Sequence, residues 1–140
     1  MVDGAADRLA LRELVESYAG AADRRDPVEF ADLFSRDATL QTFSPDGSVT
    51  SSYAGRDEIA VIPERLGAYD LTVHLIGRVD VHVVGDTATG EARCTAHHLR
   101  GADDKVMVIR YVDRYVREER WRFAAREVRM LFTERRTVDR

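Results

Sequence analysis

The spacing of apolar residues changes once along this chain, and that change limits the possible folds more than any other feature. Before Leu71 the apolar positions recur at helical intervals. From Leu71 to the C-terminal segment they alternate with polar ones. Period-two alternation over stretches this long reads as half-buried strand. The segments 71–84, 87–100, 105–118 and 121–134 are therefore predicted as long strands. Gly85-Asp86, Gly101-Ala102-Asp103-Asp104 and Glu118-Glu119-Arg120 join them. Connectors this short permit hairpins and nothing longer, so the strands form an antiparallel meander. Gly77 interrupts the first of them and marks a place where a bulge could bend the sheet.

The first half supplies what covers that sheet. Residues 7–23 predict a helix, with Leu11, Leu14, Val15, Tyr18 and Ala22 on one face. Asp23 falls at the edge of that face in the last turn, where the helix dipole disfavours a carboxylate. Asp26-Pro27-Val28-Glu29 reads as an N-cap, a proline at the first helical position and a capping box. The short helix it opens carries Phe30, Leu33 and Phe34 inward and ends at Arg36-Asp37. Ala38–Phe43 is a strand, Ser44-Pro45-Asp46-Gly47 a turn and Val49–Tyr53 the return strand. Residues 55–66 read as a helix burying Ile59, Ile62 and Leu66, bent or ended early by Pro63. Helices first and a curved antiparallel sheet after them give an α+β architecture. The sheet is expected to form a cone around the first helix, with one pocket between them and one domain over 1–140.

Composition excludes several classes. At 140 residues and a net charge of −4 the chain lacks the basic stripe of a nucleic-acid binder. The arginines from Arg110 onward alternate with apolar residues and mix with Asp and Glu, as on a solvated or subunit-facing sheet surface. Cys94 is the only cysteine, so no internal disulfide can form. Its small neighbours Ala92 and Ala96 make it a buried filler. No apolar run approaches membrane-spanning length and the start, MVDGAADRLA, is polar, so a cytoplasmic protein without a membrane partner is expected.

Strand alternation then picks out the candidate site. Ala92, Cys94, Ala96 and His98 share the small, inward face of their strand, which leaves His97 outside. Val79, Val81 and Val83 point in, and Asp80 and His82 out. His74 is out of phase with that set unless Gly77 shifts the register. Met107, Ile109, Tyr111 and Asp113 share a face, and Arg126 shares one with Ala124, Val128 and Met130. A helix closed over the curved sheet would bring Tyr18, Asp23, His74, His98 and Arg126 toward one pocket, with Phe34, Ala96, Ile109 and Tyr111 expected in its walls. Those side chains can take a proton, return one and hold a developing negative charge. No spacing of the HxxxH kind supports a metal site, and no cofactor motif is present.

The segments ELVESYAGAADRRD, ADLFSRDATL, YAGRDEI, LTVHLIG, VVGDTATGEARCTAHH and RYVDRYVREERWRFAAREV, in that order, resemble the nuclear transport factor 2-like superfamily in its SnoaL-like branch. The resemblance covers nearly the whole chain. Within that branch it is similar to scytalone dehydratase, hexachlorocyclohexane dehydrochlorinase and bile-acid 7α-dehydratase, cofactor-free eliminases with a helix-borne Asp and a strand-borne His. It implies that Asp23 and His74 are that pair and that His98 is a second catalytic histidine. Tyr18 resembles the bile-acid enzyme's tyrosine, and Arg126 the dehydrochlorinase's arginine. Ala22 stands where the scytalone enzyme has a tyrosine, and Ile109 and Tyr111 replace its polar pair, which implies a different substrate. The implied activity is a cofactor-independent, dehydratase-type lyase acting on a small hydrophobic or polycyclic, polyketide-like molecule, in a homodimer or trimer. His74 would be the base, Asp23 its orienting partner, Tyr18 or Arg126 the oxyanion holder and protonated His98 the acid. A polyketide cyclase or isomerase of the same fold, and a non-catalytic pocket for a small molecule, remain open at this point.

Overall fold

The computed structural model describes residues 4–140. Helix α1 runs Ala5–Arg24 and buries Leu11, Leu14, Val15, Tyr18, Ala21 and Ala22, the face its spacing predicts. Arg25 ends it in the left-handed region at φ 54°, the only non-glycine residue among those described with positive φ. Its backbone N–H turns back to the carbonyls of Ala21 and Ala22. Helix α2, Pro27–Asp32, starts at Asp26, whose carboxylate accepts from the Glu29 N–H at 3.0 Å. Only half of the expected capping box forms. The Glu29 carboxylate takes Arg24 instead, at 2.7 and 2.8 Å, and the Asp26 N–H reaches the carbonyl of Ala21.

Phe34 is not the end of that helix but the start of β1, Phe34–Phe43. Its ring packs 5.0 Å from Phe123, the residue it faces across the sheet, and this aromatic pair outweighs local helix propensity. Strand β2, Val49–Ala54, returns along β1. The helix expected over 55–66 is broken into α3, Arg56–Ile59, and α4, Ile62–Arg65, followed by a 3-10 turn at Leu66–Ala68. Pro63 cannot donate to the carbonyl of Ile59 and its ring crowds that carbonyl, so the first piece stops there. Ile59 is fully buried.

The four long strands are β3 (Leu71–Val84), β4 (Thr87–Arg100), β5 (Asp103–Arg117) and β6 (Trp121–Thr137). They pair as the predicted meander. The connection after Arg100 is shorter than expected: Arg100 already pairs with Asp103, leaving Gly101-Ala102 as a two-residue turn with Gly101 at φ 58°. The sheet order is β2-β1-β6-β5-β4-β3, and β1 runs parallel to β6. An entirely antiparallel sheet is thus corrected at one junction. No hairpin joins those two strands, so no turn dictates their relative direction. The sheet curves but does not close, and α1 lies inside it, chiefly against β3.

Of the register shifts in the sheet, the one in β3 and one of the two that β6 makes against β5 decide which site residues face inward. In β3 the register shifts between Ile76 and Val79, at Gly77. Thr72, His74 and Ile76 therefore face the same side as Val79, Val81 and Val83. In β6 it shifts between Phe123 and Ala125, so that Phe123 and Arg126, three residues apart, both turn in while Ala124 drops out of the alternation. The opposite face of β4–β6 carries ion pairs such as Arg129 to Glu127 and Arg110 to Glu91.

Candidate active site

The last turn of α1 delivers Asp23 to the start of β3. Its carboxylate accepts three hydrogen bonds: from His74 Nδ1 at 2.6 Å, from the His74 backbone N–H at 2.9 Å and from Thr72 Oγ1 at 3.1 Å. Burial pushes the Asp23 carboxyl up, but the two bonds from His74, its charge and the bond from Thr72 together hold it below the ordinary carboxylate range. A carboxylate that opposes the helix dipole is thus compensated by donors from another strand. Nδ1 of His74 faces a pure acceptor, so it carries the proton in the neutral ring, and Nε2 is left with its lone pair.

His74 lines an apolar cavity of about 150 Å³. Tyr18 and Ala22 of α1, Leu40 of β1, Met107, Ile109 and Tyr111 of β5 and Val128 and Met130 of β6 form its walls, and Ile62 and Leu66 close it from the helical side. An apolar cavity of this size holds about one benzene ring. A wider surface depression of about 500 Å³ lies beside Gly4, Asp7, Arg8 and Arg117. It is a poorer candidate, because its Arg117 is already held by Asp7 and Asp86 at 2.6 and 3.0 Å.

His98 lines the same cavity, with its ring 5.5 Å from that of His74 and 4.7 Å from that of Tyr69. Burial, and then the nearby His74 and Lys105, push its pKa down to about 4. The expectation of a protonated His98 is therefore corrected: at neutral pH the ring is uncharged. Its Nε2 is buried and has no protein partner.

Tyr18 also lines the cavity, packed among Phe30, Phe34, Tyr111 and Phe123. Burial pushes its phenol up to about 12, which keeps it a hydrogen-bond donor. Arg126 does not reach the cavity wall. It is 1% exposed and lies behind the rings that do, 4.1 Å from the Tyr18 centroid and 3.6 Å from that of Tyr111. Asp113, directly across the sheet, accepts from Nε at 2.9 Å and from Nη2 at 3.2 Å. A direct contact between Arg126 and a ligand is thereby corrected to a place under the floor. Of the expected walls, Ile109 and Tyr111 line the cavity. Phe34 and Ala96 are fully buried but lie in the packing behind it.

The sequence reading passed over Thr72 and Tyr69, and it placed Asp113 on the face of Ile109 and Tyr111 without giving it a role. Thr72 could have been found, because it is two residues before His74 on the same strand face and is polar where the face turns inward. Among the described residues no three His, Cys, Asp or Glu side chains gather into a metal-binding group.

The family model for the SnoaL-like domain matches residues 3–127. The chain belongs to the SnoaL-like family. This places it in the nuclear transport factor 2-like superfamily, as the resemblance implied. Solved structures agree on the fold of this SnoaL-like chain. A Novosphingobium aromaticivorans protein provisionally described as a scytalone dehydratase is 23% identical, covering 96% of this chain and 90% of its own, with a TM-score of 0.83. The LinA-type3 hexachlorocyclohexane dehydrochlorinase of Novosphingobium barchaimii is 18% identical over 94% and 90%, with a TM-score of 0.80. A Kribbella flavida protein is 26% identical over 94% and 95%, with a TM-score of 0.83. Among curated protein sequences none matches significantly. No described helix is long and apolar enough to cross a membrane.

Proposed function

We propose that this SnoaL-like protein is a cofactor-independent lyase that eliminates water from a small β-hydroxy carbonyl compound, using His74 as base. The observation that carries the reading is the 2.6 Å contact between Asp23 and His74 Nδ1 at the wall of an apolar cavity. Names borne by structural neighbours, a dehydratase and a dehydrochlorinase, agree with it.

In the proposed reaction Nε2 of His74 removes the proton next to the carbonyl. Asp23 stabilises the imidazolium that results, as the aspartate of a hydrolytic triad does. The Tyr18 hydroxyl, un-ionised because of its burial, donates to the enolate oxygen. Neutral His98 cannot supply the proton that the departing hydroxide needs without becoming an anion. His74 therefore returns its own proton to that hydroxide, the C–O bond breaks, water leaves and the base is regenerated. His98 lines the same cavity and faces the substrate as a neutral ring. The cavity volume favours a single-ring substrate over a polycyclic one.

The test is a panel of single-ring β-hydroxy ketones incubated in D2O, with enone absorbance and deuterium at the α-carbon read together. Enone formation that is lost in His74→Ala supports the lyase. Exchange without enone identifies an isomerase or cyclase that returns the proton to carbon. Ligands that bind the cavity by NMR yet neither exchange nor eliminate would make this a binding module and refute the proposal.

A further inference from the structure

Arg25 is an expensive residue in its place. It adopts a left-handed backbone that glycine would take without cost, and its Nε is buried with no partner. Backbone outliers of this kind persist where the surroundings hold them, often beside a working site. What Arg25 gains is specific. Its Nη2 donates to the carbonyl of Leu66 at 3.2 Å and to that of Tyr69 at 2.6 Å, the two ends of the 3-10 turn that follows α4. Leu66 is part of the cavity wall, and the Tyr69 ring lies 4.7 Å from that of His98. The same guanidinium stands two residues after Asp23. One side chain therefore ties the wall over His98 to the helix end that carries Asp23.

We propose that Arg25 is a positioning residue that straps the Leu66–Tyr69 segment shut over His98 and so shields the second histidine of the cavity from water. The outer side of that segment is held by Arg100, and the next residue, Asp70, donates its N–H to the Leu99 carbonyl at 2.8 Å. Arg100 donates to the Ala68 carbonyl at 3.2 Å in an exposed bond, and its guanidinium lies 5.3 Å over the Tyr69 ring. The titratable groups acting on His98 are known on each side: His74 from β3, Lys105 and Asp104 from β5 and Asp23 from α1, with the Tyr69 ring from the strapped segment. Both positive and negative neighbours are present, and burial is the largest influence on the ring. Release of the wall admits water and removes that influence, while the charged neighbours stay on their own elements. The proposal takes from the lyase reading only the location of the site, so the two fail separately.

Arg25→Gly is the informative variant. Glycine accepts the positive φ, so the helix end is preserved while both carbonyl bonds are lost. The experiment is an NMR titration of histidine-labelled protein, wild type against variant, without substrate. In the wild type, burial is expected to hold the His98 midpoint well below the ordinary histidine range, at about 4. In Arg25→Gly its midpoint rises by at least one pH unit, and the His98 ring signals lose their shielding from Tyr69. The His82 signals, from the outer face of β3, stay in place and report an intact sheet. A folded variant whose His98 midpoint and ring shifts match the wild type overturns the proposal. Arg25→Met keeps the alkyl stem and loses every donor, and it carries the same test should the glycine variant not fold.

Discussion

Asp23→Asn isolates the electrostatic part of the proposed mechanism. Removing the carboxylate leaves the imidazolium of His74 without its counter-charge during proton transfer. With the heavy atoms 2.6 Å apart and the charge centres about 4 Å apart, the attraction is ~4 kcal/mol at an effective dielectric of about 20. At about 1.4 kcal/mol per decade that is ~10³ in rate. The amide also brings an NH2 group to a site that faces donors on every side: His74 Nδ1, the His74 N–H and Thr72 Oγ1. If the NH2 meets Nδ1, the ring is driven to the wrong tautomer and Nε2 ceases to be a base, which extends the loss toward ~10⁴. Thr72→Val removes one bond and no charge and is expected to cost about tenfold, the worth of one hydrogen bond to a charged group. The assay is single-turnover enone formation for wild type, Asp23→Asn, His74→Ala and the double mutant. Because Asp23 acts through His74, the double mutant should lie within about threefold of His74→Ala. Losses that multiply to ~10⁶ or beyond would mean that the two residues act independently, and the dyad would have to be abandoned.

Three further outcomes follow from groups of the sheet. Asp113→Asn leaves the Arg126 guanidinium buried without its counter-ion and is expected to lower unfolding stability by ~3 kcal/mol or more in urea titrations, whereas Arg126→Met with Asp113→Leu costs less than either single change. Gly90→Ala places a methyl 2.6 Å from the Asp80 carbonyl oxygen and 2.9 Å from Val81 Cγ1, so β3 or β4 must shift; a loss of ~1–3 kcal/mol is expected, and an unchanged Tm would contradict it. His98 gives a pH effect of definite sign. Its folded pKa, about 4, lies below its ordinary 6.5, so the unfolded chain binds the extra proton between those values and stability rises with pH across that window, by up to ~3 kcal/mol. Urea midpoints at pH 4.5 and 7 should therefore differ less in His98→Gln than in the wild type, and an equal difference would show that His98 contributes nothing.

The parts of the fold that follow from local rules were legible in the sequence. Alternation from Leu71 onward, the two-residue turn at Gly85-Asp86 and the α1 face from Leu11 to Ala22 are fixed by backbone periodicity and turn sterics within a short window. The pairing of β1 with β6 obeys no such rule. It is a contact between distant segments that no turn enforces, and it took Phe34 out of α2. The Asp23–His74 contact likewise joins a helix end to a strand start. Its only local trace was a carboxylate at the wrong pole of a helix, and that trace was sufficient to single out Asp23 but not Thr72.

The bulges at Gly77 and Ala124 explain why the inward set was partly readable and partly not. Gly77 is visible as a glycine inside a strand, so the phase shift that turns His74 toward Val79 and Val81 had a signal. Ala124 carries no such mark. If the register of Arg117 with Trp121 and Tyr115 with Phe123 ran on unbroken, Asp113 would face Ala125, and Arg126 would face Val112 on the outer side of the sheet. The extra residue in β6 shifts the pairing so that Asp113 meets Arg126. Trp121 and Phe123 lie inward before the bulge, and Arg126 and Val128 after it, which strict alternation forbids. The charged floor beneath Tyr18 and Tyr111 therefore depends on an irregularity that only the packing of both strands can specify. Once the bulge turns Arg126 inward, burial requires a counter-ion, and Asp113 is the carboxylate that the shifted register sets opposite it.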